Sequence, residues 1–411
     1  DSYNVAVGFA AGISVTTGIF NTIIGGLAGD SLTDADRNTA VGVGALTTDT
    51  LGSRSTALGY GTLANQNLTT ATNALNTAVG YNAGTAITTG VQNTAVGGDA
   101  LDALTVGSSN TAIGYQALTA DTQGQNSVAV GHNALATQNL TTTTNTYNTA
   151  VGSQAGLIIS TGIQNTFIGG LSGDATDDGA ENTAVGYASL SNGNCGNGNT
   201  TVGHASLFVC TGAGNTAIGA SASSSVSSGS NNLGLGKDAQ LSGSPGGPQT
   251  TGSNGIGLGD ENITSFHCQV ALTVVSDERD KTDFVDLDLG LDFVKALEPV
   301  TYYWDKRAKY LNKHNEDGTL NTDYDLNSVT PDGTHKEDWM DVGFKAQAIQ
   351  TLQDAAGYTD SANKNLLVSS SDDGKQLGLK YEKFIPILVK AIQEQDAIIQ
   401  SLTARIAALE S

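Results

Sequence analysis

The feature that most constrains this chain is a phrase, Asn-Thr-Ala-Val-Gly, that returns throughout its first 262 residues. It is complete at Asn38–Gly42, Asn76–Gly80, Asn93–Gly97, Asn148–Gly152 and Asn182–Gly186, followed as a rule by x-x-Ala-Leu or x-x-Ala-Gly. With its close variants it places a marker glycine at 8, 25, 42, 59, 80, 97, 114, 131, 152, 169, 186, 203, 219, 236 and 259. The step is 17 residues, except for two steps of 21, one of 16 and a last one of 23. Gly8, Gly80 and Gly152 therefore open a superperiod of 72 residues, and both 21-residue steps carry one insertion phrase, Gln66–Thr70 and Gln138–Thr142.

Seventeen residues are too few for a helix pair and suit one coil of a solenoid. At about 3.3 Å per residue, two short strands and two tight turns fit such a coil. The expected fold is mainly β, an elongated parallel β-solenoid over 1–262, in which each coil's backbone bonds to its neighbours. The Val or Ile before each glycine is expected to stack as an interior apolar ladder, with small Ala and Thr beside it. The glycine takes a turn closed to other residues, and the Asn ladders or enters a left-handed turn.

Composition bounds the function. The chain holds 52 glycines, five prolines and a net charge of −22, with no Gly-X-Y period, which excludes collagen. Residues 1–275 carry three cations (Arg37, Arg54, Lys237) and fifteen carboxylates, leaving 15 of the 18 cations and 25 of the 40 acids for 276–411. Nucleic acid is not an expected partner, since phosphate binding needs clustered Lys and Arg. No apolar run approaches the roughly 20 residues of a membrane span, so membrane insertion is not expected. Three cysteines without C-x-x-C and five scattered histidines give no metal signature, so neither metal nor cofactor is expected. The chain opens on Asp1 rather than Met, and an N-terminal attachment region is expected to precede it.

Within the array, the slot after the marker glycine is aromatic at Phe9, Tyr60, Tyr81, Tyr115 and Tyr187, with His132 and His204 in the same place. Tyr60, Tyr81, Tyr115 and Tyr187 suit either glycan stacking or packing between coils or chains. Cys195 and Cys210 lie nine and seven residues after their own marker glycines, on adjacent coils, where a disulfide would suit an extracellular protein. The acidic groups Asp30, Asp34, Asp36 and Asp174, Asp177, Asp178, Glu181 read as solvated turns, or at most weak calcium sites, rather than the paired carboxylates of a glycosidase.

A Gly/Ser/Pro/Thr stretch, Ser242–Ser253, reads as a surface loop, and 263–275 as a connecting strand. At Ser276-Asp277-Glu278-Arg279-Asp280-Lys281 the vocabulary changes. A serine and a lysine five apart can form a nucleophile and its base where the fold joins them. Leu289–Leu297 predicts a short helix ended by Pro299, Thr301–Trp304 a strand, Val342–Gln350 a strand-to-helix passage, and 310–336 a polar insertion. Ile385, Ile392, Ile399 and Ile406, with Leu388, Gln395, Leu402 and Leu409, take the a and d places of a coiled coil over 385–410.

Two resemblances follow from these residues. Asn126-Ser127-Val128-Ala129-Val130-Gly131 resembles the head repeat of trimeric autotransporter adhesins, which implies a β-roll of three chains about one axis. Residues 276–411 resemble the C-terminal intramolecular chaperone of phage endosialidases, tailspikes and tail fibres. That resemblance rests on Ser-Asp-x-Arg-x-Lys, Gly290–Val294 with Glu298–Tyr302, Gly343-Phe344 with Ala346-Gln347, and Ala391–Gln395. It implies a small α+β domain that trimerises the fibre and cuts itself at Val275–Ser276. Ser276 is then the nucleophile and Lys281 the base, with Asp277 and Arg279 in support. The expectation is a homotrimeric fibre, on a virion tail or another extracellular surface, that meets a host glycan or protein receptor and other virion or filament proteins. A bacterial trimeric adhesin is the alternative, and a glycan-degrading tailspike a weaker one. Any enzymatic activity is expected to be a single self-cleaving turnover, with none on external substrates.

Overall fold

The computed structural model describes residues 2–316, 320–321, 323–359 and 366–410. Residues 317–319 and 322 of the polar insertion lie outside the described residues. The chain forms two compact units: Asp1–Leu241 with Gln249–Gly259, and Ser242–Pro248 with Asp260–Ser411.

The first unit is a parallel β-solenoid. Its 15-stranded sheet runs in chain order from Val5–Val7 to Ile256–Leu258, each coil adding one three-residue strand just before its marker glycine. The register is the sequence repeat itself: Thr22 faces Thr39, Thr39 faces Thr56, and Thr56 faces Thr77 across a 21-residue step. The four extra residues are absorbed off the sheet, where Gly52–Ser53 pairs with Thr72–Asn73 and Gly124–Gln125 with Thr144–Asn145. The expected two strands per coil are therefore not the rule. Most of each coil is turn, because left-handed residues recur within it, as at Arg37 (φ 58°) and Leu46 (φ 56°). They leave no room for a second extended run.

The interior ladder is also not the one expected. Side chains alternate across a strand, and the middle residue points inward: Ala40, Ala57, Ala78, Ala112 and Ala129 are fully buried. The Val, Ile or Leu beside the glycine faces out, with Leu58 45% and Ile168 40% exposed. The sheet wall needs a methyl because the opposite wall supplies the bulk. That bulk is often a leucine four places after the glycine, as at Leu46, Leu63, Leu101, Leu118 and Leu135, all fully buried. Where that place is glycine, a residue three further on compensates: a Cβ at Gly29 would meet Leu32, and one at Gly84 would meet Ile87. Phe167 is the one aromatic on the inner ladder among the described residues, and it lies over Gly156 and Gly173. Volume per coil is thus kept nearly constant, as close packing demands.

The asparagines form a ladder. Asn21 Oδ1 accepts from the Asn38 N–H at 2.9 Å, and Asn38 Nδ2 donates to the Gly52 carbonyl at 2.8 Å; the pattern repeats at Asn76, Asn93, Asn110, Asn148 and Asn165. Serine interrupts it at Ser55 and Ser127, the coils that receive the insertion phrase. There Gln66 Nε2 donates to Asp49 (2.5 Å) and Ser55 (3.1 Å), while its Oε1 accepts from Asn76 (2.8 Å). Gln138 does the same with Asp121, Ser127 and Asn148. The insertion is a polar plug for a gap in the ladder.

The second unit is α+β. It holds two antiparallel strand pairs, Val300–Tyr303 with Met340–Gly343 and the hairpin Val368–Ser370 with Leu377–Leu379. Its helices are α1 (Leu291–Ala296), α2 (Ala346–Ala355) and α3 (Phe384–Glu410). The core gathers Leu289, Ile349, Leu367, Val368, Phe384 and Ile387. Glu394 of α3 accepts from the Leu291 N–H at 2.7 Å, placing a carboxylate at the start of α1. Beyond its buried Phe384, Ile387 and Ala391, α3 leaves Ile385, Ile392, Ile399 and Ile406 between 53% and 64% exposed. No described helix is long and apolar enough to cross a membrane.

Candidate self-cleavage site

The site grows from a tight turn. Glu278–Asp280 forms one turn of 3-10 helix, capped by Asp277, whose Oδ1 accepts from the Arg279 N–H at 2.9 Å. The Lys281 N–H donates to the Glu278 carbonyl at 3.1 Å, which turns the chain back on itself. Lys281 Nζ then reaches Ser276 Oγ at 2.5 Å and the Ser276 carbonyl at 3.3 Å. A spacing of five residues thus becomes a direct contact between the candidate base and the candidate nucleophile.

Asp277 and Arg279 serve each other rather than the dyad. Arg279 donates from Nε (3.0 Å) and Nη2 (2.6 Å) to the Asp277 carboxylate. The guanidinium holds Asp277 below the usual carboxylate range, and the carboxylate holds Arg279 above its own. Their joint role is to fix the turn. Ser276, Lys281 and the preceding segment are exposed, with Val275 82% and Leu272 78% exposed. Residues 263–275 form no ladder among the described residues, so the apolar Val270, Leu272 and Val274 face solvent.

The array candidates are brought together in pairs. Tyr60 stacks on Tyr81 (centroids 5.5 Å apart), Tyr115 on His132 (5.8 Å) and Tyr187 on His204 (5.7 Å). Each ring gives one face to the next coil. Cys195 and Cys210 are buried free thiols on adjacent coils, and Cys195 Sγ lies 3.2 Å from the Cys210 carbonyl. Contact with the Cys210 side chain, then burial, pushes the Cys195 thiol well up. The acidic groups bond to hydroxyls one coil away, as Thr17 donates to Asp34, Thr47 to Asp30 and Ser191 to Asp174. Among the described residues no group of three or more His, Cys, Asp or Glu converges as a metal site would.

Sequence reasoning missed the Gln66 and Gln138 plugs, although Ser55 and Ser127 standing in an asparagine slot were a visible signal. No curated protein matches the chain. Residues 276–358 match the family model of the chaperone of endosialidase, and that match begins at the serine whose hydroxyl meets Lys281. The chain therefore joins a long parallel β-solenoid to a C-terminal chaperone-of-endosialidase domain.

Proposed function

We propose that this chain is one subunit of a homotrimeric fibre, of the kind carried on viral tails, whose C-terminal domain assembles three chains and then cuts at Val275–Ser276. The observation that carries the reading is the chaperone-of-endosialidase match starting at Ser276, directly behind a solenoid that long-range parallel pairing makes slow to fold. Three unpartnered apolar seams support the trimer: the outward Val, Ile and Leu of the sheet, the Val270–Val274 stretch, and the a and d places of α3. A single chain that exposes such seams lacks partners.

For cleavage, Ser276 Oγ attacks the Val275 carbonyl carbon. Lys281 takes the hydroxyl proton and passes it to the Ser276 nitrogen as the C–N bond breaks. The resulting ester is then hydrolysed by water, leaving a Val275 carboxylate and a free Ser276 amine. Lysine acts as a base only as the neutral amine, a form favoured by burial. Both groups are exposed in one chain, so we assign the burial to the assembled trimer.

The fibre would meet a host-surface glycan or protein receptor. Tyr60, Tyr81, Tyr115 and Tyr187 are exposed enough to contribute, each with one ring face already stacked on a neighbour. A Cys195–Cys210 disulfide in the extracellular protein is a further proposal, tested by the mass change on reduction. Light scattering and a denaturing gel of the full chain test the core reading. The expected result is a trimer with a fragment beginning at Ser276, and loss of that fragment in Ser276→Ala and Lys281→Ala. A monomer, or normal processing in both variants, overturns it.

A further inference from the structure

The second unit contains residues from both sides of Val275–Ser276, because Ser242–Pro248 and Asp260 onward pack as one body. On the fibre side, Ser242 Oγ donates to Asp373 Oδ2 at 3.1 Å. Lys313 Nζ reaches Ser244 Oγ at 3.3 Å and forms an ion pair with Glu261. That pair is enclosed, with the Lys313 side chain 6% and the Glu261 side chain 11% exposed. Lys306 Nζ donates to the Glu261 backbone carbonyl at 2.5 Å. The 242–248 loop lies flat on this unit because two of its three glycines face it at contact distance. A Cβ at Gly243 would come within 2.4 Å of Tyr324 Oη, and one at Gly247 within 2.2 Å of Ser371 Cβ.

None of these contacts runs through the peptide bond between 275 and 276. Hydrolysis there creates a carboxylate on Val275 and an ammonium on Ser276, both at exposed positions remote in sequence from the clasp. We infer that the C-terminal domain remains bound to the fibre after the cut, held by a clasp in which Lys306, Lys313 and Asp373 grip Ser242, Ser244 and Glu261. The inference rests on the proposed self-cleavage for its setting, while the clasp itself is independent of it. A buried, hydrogen-bonded ion pair is costly to break from one side, since the abandoned charge stays in a poorly solvated place. The clasp thus makes release a separate event from cleavage.

The test separates the two. In full-length chain carrying Ser276→Ala, residues 268–273 are replaced by the recognition sequence of a site-specific protease, and the protein is cut and run by native gel filtration. The expected result is co-elution of both pieces, separating only in denaturant. Glu261→Gln and Lys313→Met should each raise the apparent dissociation constant of the cut pieces by at least about 100-fold. The exchange Glu261→Lys with Lys313→Glu should restore part of the hold, which a folding defect would not do. Separation of the wild-type pieces on cutting overturns the inference, as does equal retention in the single variants. Failure of the unmodified chain to cut itself would instead count against the proposed dyad and leave the clasp standing.

Discussion

The two units hold themselves together by opposite means. In the solenoid the stabilising elements recur from coil to coil, with local substitutions: an inward side chain that is small in most coils and Phe167 in one, a bulky one from the opposite wall, and an asparagine rung that serine replaces at Ser55 and Ser127. In the C-terminal unit the core is assembled once, from Leu289, Ile349, Leu367, Val368, Phe384 and Ile387, and no element has a copy. Repetition makes stability a sum of neighbour terms, so the solenoid's strength lies in number. It also means that every coil must obey the same geometric rule, and a rule shared by all coils tolerates little.

The marker glycine is that rule, and breaking it should have the largest effect. Gly97 has φ 135°, and a Cβ there would stand 2.4 Å from the Gly114 carbonyl oxygen. Gly97→Ala is expected to cost about 5 kcal/mol, or to prevent soluble folding altogether. Gly374, in the turn between Val368–Ser370 and Leu377–Leu379, has φ 67° with nothing within 4 Å of an added Cβ. Gly374→Ala should cost only about 1 kcal/mol. Denaturant unfolding of the two variants checks the contrast, and similar losses would show that the coil-to-coil contact does not set the limit.

Next in size is the test of volume balance. Phe167→Ala should cost about 3–5 kcal/mol, because the ring fills space that Gly156 and Gly173 leave open. Adding Gly173→Leu rebuilds the arrangement of the Ala112 and Leu118 coil, and should recover roughly half of the loss. The same logic has no counterpart in the C-terminal unit, where no second coil shows which pair is permitted. Calorimetry of the single and double variants decides it.

The polar plug comes third. Gln66→Leu removes a donor from the buried Asp49 carboxylate and a partner from both Ser55 and Asn76. The expected cost is about 3 kcal/mol. In the C-terminal unit, Glu394→Ala strips the start of α1 of its carboxylate, at about 1–2 kcal/mol. Hydrogen exchange should localise the first change to coils around 49–76 and the second to 291–296, and spread of either across both units would break the comparison.

How much of this was legible follows the same division. The 17- and 21-residue steps in the sequence are the register of the sheet, down to Thr56 facing Thr77. The phase within each strand was not legible. Ala and Val are both apolar, a three-residue strand has one inward place, and only the leucine arriving from the opposite wall makes that place an alanine. In the C-terminal unit, helix and strand starts near 291, 300 and 346 followed from pattern, and Asp373-Gly374 was an unread signal for the hairpin of Val368–Ser370 and Leu377–Leu379. The spacing of Ser276 and Lys281 only permitted their contact, and it was the resemblance of the downstream motifs that singled the two residues out. The pairing of Asp277 with Arg279 was not legible, nor was that of Glu261 with Lys313, because residues 52 positions apart without a repeat leave no trace in a single sequence.

The smallest predicted effect asks whether repetition extends to charge. Asp102 and Asp174 are one superperiod apart, and each accepts a hydroxyl from the next coil, Thr119 at 2.5 Å and Ser191 at 2.6 Å. Burial pushes both carboxyls above 3.8, and those hydroxyl bonds only partly oppose it. The folded chain therefore holds these protons at a pH where the unfolded chain has lost them. Their contribution to stability falls as pH rises from about 3.8 through the raised folded values, then stays at its lower level above them. Asp102→Asn with Asp174→Asn keeps the shape and removes the titration. The double variant should melt slightly higher than the parent at pH 7, with the gap closing as pH is lowered into that window. The carboxylates paired in the C-terminal unit have the opposite sign: Lys375 holds Asp325 low and Lys309 holds Glu337 low, so that unit loses stability as pH falls. If the two units resist acid differently, melting at pH 4 should begin in the C-terminal unit while the coils hold, and the reverse order would show that the solenoid's few charges outweigh its repeats.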